Sequence, residues 1–154
     1  MTALGLNAGL MLMLGSRLPD QVATHFGVAG AADSWMPRSG AISFFILFPC
    51  IMSLFIVAAV GRIKYLPPTG LRVPNAVYWR SPEHYPEACR KVEAWSINFG
   101  VLLVAFMAAI FVLSIDANQS VPPGLNMGML LAVVVAFLLL VNLSVFKLIR
   151  AYRI

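Results

Sequence analysis

The chain has 154 residues, of which 60% are hydrophobic and only 11% charged, with a mean hydropathy of +0.86. A soluble domain carries roughly 25% charged residues, so this chain has too little polar surface to cover a globule in water and reads as an integral membrane protein. Its net charge of +5 shows no nucleic-acid-binding pattern, and the habit of basic residues to collect in cytoplasmic loops accounts for it more simply.

A transmembrane helix needs about 20 mostly apolar residues. The first apolar stretch, about residues 1–16, is short for that purpose. No Lys or Arg precedes it, which argues against a secretory leader and for a short first span. A chain start set too far downstream would give the same shortness. Gly5 and Gly9 form a GxxxG, a candidate close-packing face for another helix.

Residues 17–39 form a polar loop. Leu18-Pro19 ends the first span, and Val22, Thr24 and Phe26 alternate as in a short extended segment. Gly27 and Gly30 permit turns. Trp35 suits the membrane interface, and Ser39 is placed to cap the next helix. His25, with aspartates at loose spacing, is not a metal signature, and a lone histidine is more often satisfied by a structural hydrogen bond.

Three clear spans follow, at about 41–60, 95–115 and 125–149, with Pro49 an expected kink in the first of them. Between 61 and 94 the prolines at 67, 68 and 74 predict an irregular connector. Ser81-Pro82 reads as an N-cap and first helical position, so Pro82–Trp95 is expected to run as a helix into the next span, disturbed by Pro86. Tyr78, Trp79 and Tyr85 would lie at headgroup level. Glu83, His84 and Glu87 invite an active-site reading, but no zinc signature is present. A capped helix with Glu83 and Glu87 paired to Arg80, Arg90 or Lys91 is the simpler account.

No Asp, Glu, Lys, Arg or His lies mid-span, so the usual mark of a proton relay or ion transporter is missing. Asn98 and Asn142 are expected to hydrogen-bond between helices, directly or through Ser53. Cys50 and Cys89 are expected at different depths, which disfavours a disulfide, and no cofactor or metal motif is found. Lys and Arg gather in 61–94 and after Lys147, which predicts an all-α, four-span helix bundle with both termini and the 61–94 segment cytoplasmic. Residues 17–39 and 116–124 would then face outward.

The series Leu18, Pro19, His25, Phe26, Gly30, Asp33 and Trp35 resembles the LPxxIPxHFxxxGxPDxW motif of the SdpI-like bacterial membrane proteins. That family, of unknown function, includes an immunity protein. Asn75, Tyr78, Trp79, Pro82, Glu83 and Glu87 are similar to its NxxYWxxPExxxE segment, so the likeness covers roughly residues 1–115. Ala23 and Ala32 stand where the family commonly has proline, which suggests a looser loop.

The resemblance implies a multi-pass protein of the bacterial cytoplasmic membrane that protects against a secreted antibacterial peptide. It further implies an outer loop (His25, Phe26, Gly30, Asp33, Trp35) that meets the peptide and a basic segment (Tyr78, Trp79, Arg80, Glu83, His84, Glu87) that meets a cytoplasmic regulator or lipid. Read from the residues alone, a non-catalytic accessory subunit of a larger membrane complex is the alternative, helped by Gly5 and Gly9. A small transporter or membrane enzyme is a weaker third, since no nucleophile is paired with a base.

Overall fold

The computed structural model describes residues 2–154. The elements in order are α1 (Thr2–Gly15), strands β1 (Gln21–Phe26) and β2 (Ala32–Pro37), then α2 (Arg38–Gly61). Two 3₁₀ turns (Arg62–Tyr65 and Pro68–Gly70) and the one-turn α3 (Ala76–Trp79) lead to α4 (Tyr85–Gln119) and α5 (Met127–Ala151). Three helices, α2, α4 and α5, are long and apolar enough to cross a membrane, and α1 is a shorter apolar one. At 1.5 Å per residue, α1's 14 residues reach about 21 Å, short of a hydrocarbon core of about 30 Å. These apolar helices mark a lipid bilayer as the chain's surroundings.

The core lies where α1, α2 and α4 meet. Met11, Ala41, Phe45, Met107 and Phe111 are buried there, with the Phe45 and Phe111 rings 4.9 Å apart. Polar links between helices are few and specific. Asn7 donates to the Phe45 carbonyl at 3.3 Å, Ser53 donates to the Gly100 carbonyl at 3.2 Å, and the Trp95 indole donates to Ser144 Oγ at 3.2 Å. The expected bonds from Asn98 and Asn142 are not made. Asn142 turns back to the Leu138 carbonyl of its own helix, and Asn98 is exposed beside the α4–α5 cleft. Asn142 is exposed on α5, and Asn98 lines the same cleft as Trp95 and Ser144 without bonding to either.

Close helix approach likewise uses other glycines than expected. A Cβ at Gly15 would lie 2.5 Å from Ile42 Cδ1, and one at Gly100 would lie 3.4 Å from Ser53 Cβ. Gly5 and Gly9 have nothing within 4 Å, so their GxxxG face is not packed within this chain.

The polar loop departs from an all-helical fold. β1 and β2 pair antiparallel as a hairpin with irregular register between Ala23 and Phe26. One extended segment was legible from its alternation. Its partner, Ala32–Pro37, was not, because ADSWMP has no apolar period of two. The second helix starts at Arg38 with Pro37 before it and no side-chain cap, so Ser39 is not the cap. The helix continues through a buried Pro49. Ser81 does not cap α4 either. Its carbonyl accepts from the backbones of His84 and Tyr85, and the helix begins after His84 with Pro86 in its first turn, where a missing N–H costs nothing. Pro86 therefore opens the helix rather than disturbing it.

Candidate functional site

The bundle has two distinct ends. One carries the hairpin, the α1–β1 turn and the α4–α5 connection. The other carries residues 61–94 and the chain's last residues.

At the hairpin end, the strands are fixed to the bundle by four sets of contacts. Val22 is buried in the core cluster. Asn118, near the end of α4, accepts from the Ala23 N–H at 2.7 Å and donates to the Ala23 carbonyl at 3.0 Å, copying with one amide the two bonds of a strand pair. Arg38 donates to the Leu18 carbonyl at 3.1 Å and to Asp20 at 2.7 Å, closing the hairpin base. Gly30 adopts φ +81°, and its carbonyl accepts from the Leu125 N–H at 2.9 Å. A Cβ at Gly30 would lie 2.5 Å from the Leu125 carbonyl oxygen, so both the backbone angle and the space select glycine.

Ala23 is fully buried and doubly bonded, so the expected loosening is not found. A proline there would lack the N–H that Asn118 receives. Sequence reasoning missed Asn118 and Arg38. The available signal was spacing: Asn118 lies one turn beyond the buried Ser114, on the same helix face.

With its backbone held, the hairpin displays side chains outward. His25 Nδ1 lies 2.5 Å from Asp33 Oδ1, across the irregular part of the ladder, and both side chains are exposed. Val28 at the turn and Trp35 on β2 are 98% and 52% exposed. Phe26 points the other way. With Thr24, Met36, Phe44, Ile110 and Leu125 it lines an apolar pocket of about 270 Å³ beneath the hairpin. The residues expected to meet a ligand thus divide between two faces: His25, Asp33 and Trp35 outside, Phe26 over the pocket. Gly30 belongs to the backbone that holds them. Among the described residues no group of three or more His, Cys, Asp or Glu is placed to hold a metal ion.

The opposite end is organised around Tyr152, which sequence reasoning passed over as part of a basic tail. Its carbonyl accepts from the Trp79 indole at 2.9 Å and from Asn75 at 3.3 Å, and its hydroxyl donates to the Ala88 carbonyl at 2.6 Å. Asn75 takes a left-handed backbone (φ 54°), which its short polar side chain tolerates. Burial, and then the neighbouring Cys89, push the Tyr152 hydroxyl up to about 12. Tyr85 sets its hydroxyl between the Ile63 and Leu66 carbonyls, donating at 2.8 and 2.9 Å.

Lys91 lies 4.1 Å over the Trp79 ring, pairs with Glu87 at 3.1 Å and donates to the Ala151 carbonyl. Arg80 donates to the Leu71 carbonyl rather than to Glu83. His84 stacks on Tyr78 with ring centroids 3.8 Å apart. Of the residues expected to meet a partner here, Trp79 is buried and serves the cap. Tyr78, Glu83 and Glu87 remain exposed.

Residues 3–53, about a third of the chain, match the family model described as a domain of unknown function (DUF1648). The match takes in α1, the whole hairpin and α2 as far as Ser53, and so includes every residue of the outer motif. The Asn75–Glu87 motif lies beyond it. No curated protein and no solved structure matches the chain.

Proposed function

We propose that this chain is a non-catalytic, four-span protein of the bacterial cytoplasmic membrane that binds an extracellular peptide at its hairpin end. In this reading both termini and the basic end lie in the cytoplasm. The asymmetry of basic residues supports that direction, since nine of the eleven Lys and Arg fall in 61–94 or after residue 146.

One observation carries the proposal. A hairpin pinned by buried hydrogen bonds holds exposed Trp35, His25 and Asp33 above an apolar pocket. A rigid polar display beside an apolar recess fits an amphipathic peptide, which offers polar groups and apolar anchors together. Its resemblance to the SdpI-like proteins makes a membrane-active antibacterial peptide the ligand class and immunity the outcome, with signalling through the basic end as a further step.

The test is survival of cells expressing the chain when challenged with a panel of cationic amphipathic antibacterial peptides. Protection by the native chain that falls in Trp35→Ala and Phe44→Ala variants of equal abundance supports the proposal. Equal survival with and without the chain contradicts it.

A second reading, an accessory subunit of a membrane complex, is favoured by the uncovered Gly5–Gly9 face of the short α1. Stoichiometric co-purification of another membrane protein, lost on Gly9→Leu substitution, would select it.

A further inference from the structure

At the basic end a cleft of about 330 Å³ opens between α4 and α5, lined by Lys91, Ala94, Trp95, Asn98, Lys147 and Leu148 among others. It lies at the edge of the apolar spans, where the Trp95 indole is fixed by Ser144 and a ring of this kind sits at headgroup depth. Two polar groups in it have no protein partner among the described residues. Lys147 makes no ion pair, unlike Lys91, Lys64 and Arg38. Asn98, one turn deeper on α4 than Ala94, carries an exposed amide. An unsatisfied amide facing hydrocarbon is costly, so its position calls for a polar group from outside the chain. The helix surface continuing from the cleft is apolar, with Leu139, Leu140, Leu143 and Phe146 exposed along α5.

We infer that this cleft is a binding site for an anionic diacyl phospholipid. Lys147 meets the phosphate, Asn98 hydrogen-bonds the glycerol ester region, and the acyl chains lie along α5. Lys91 adds positive potential at the rim while remaining tied to Glu87. A free phosphate would satisfy the lysine but not the deeper amide or the apolar wall, so the combination selects a lipid. The site borders the aromatic cluster around Tyr152, sharing Lys91 with it, and does not depend on any ligand of the hairpin.

The experiment is native mass spectrometry of the full chain released from nanodiscs containing equal phosphatidylglycerol and phosphatidylcholine. The native chain should retain phosphatidylglycerol preferentially. Lys147→Gln should reduce that retention about fivefold, the effect of one basic residue at a membrane surface. Asn98→Leu should reduce it as well, while Lys147→Arg and Arg72→Gln, the latter an exposed base outside the cleft, should leave it intact. Protection of Cys89 from maleimide reports that each variant is folded. Equal retention of the two lipids, an unchanged Lys147→Gln variant, an equal loss in Arg72→Gln, or displacement of the lipid by millimolar inorganic phosphate would each overturn the assignment.

Discussion

Replacing Asn118 by leucine tests whether the hairpin is a fixed platform. The substitution is close to isosteric but removes the acceptor for the Ala23 N–H and the donor to the Ala23 carbonyl. Ala23 is fully buried, so water cannot readily replace either bond. Leaving a buried donor or acceptor unsatisfied costs about 1–3 kcal/mol, so the two together cost about 2–6 kcal/mol. Asn118→Asp keeps an acceptor for the Ala23 N–H but turns a buried carboxylate on the Ala23 and Ser114 carbonyls, so it should open the hairpin at least as far.

The assay is amide hydrogen exchange in detergent, read on peptides covering residues 21–37. A local opening made easier by about 3 kcal/mol speeds exchange on the order of a hundredfold. Peptides from the middle of α4 should change little. If the Leu variant exchanges like the native chain, the Asn118 clasp does not hold the hairpin and the platform argument fails.

Gly30→Ala should lower the thermal midpoint, because the left-handed angle costs about 1–2 kcal/mol and the methyl group meets the Leu125 carbonyl; an unchanged midpoint would count against the packed hairpin turn. Tyr152→Phe removes the bond to the Ala88 carbonyl and should loosen the basic end by about 1 kcal/mol, seen as faster maleimide labelling of the buried Cys89 in a Cys50→Ser background. Folded Tyr152 keeps its proton to about 12, whereas an exposed tyrosine loses it near 10. The raised value means that Tyr152's contribution is fully present below about pH 10 and is lost as pH rises from 10 to 12. Absorbance titration at alkaline pH should show a late-ionising tyrosine that is missing from Tyr152→Phe. Ala23→Pro, which removes the donor to Asn118, should speed hairpin exchange as Asn118→Leu does, although proline itself stiffens the strand.

Much of the fold was legible because hydrocarbon imposes a simple rule: long apolar runs become helices. The three long apolar helices and the shorter first one follow from that rule. Side-chain pairing was less legible. Asn98 and Asn142 were natural choices for interhelical bonds, yet helix rotation, which depends on which small residues allow close approach, gave that role to Asn7, Ser53 and Ser144. Gly15 and Gly100 set the approach, and neither stands in a repeating motif.

At the hairpin end the order of Gly30, Asp33 and Trp35 marked the right segment, but the clasp comes from Asn118, far away in sequence, and nothing local announces it. At the basic end Asn75 and Trp79 were visible as a motif. Their common target is a backbone carbonyl at Tyr152, which has no residue-type signature at all.

The proposal that the hairpin end is the outward-facing binding end is tested most directly by labelling a Val28→Cys variant in intact cells. The background is Cys50→Ser, Cys89→Ser, the reagent is a membrane-impermeant maleimide, and each sample is taken with and without a saturating peptide from the challenge panel against which the chain protects. Labelling in intact cells that slows when the peptide is present is the predicted result. Labelling only after permeabilisation, or at a rate the peptide leaves unchanged, would contradict it.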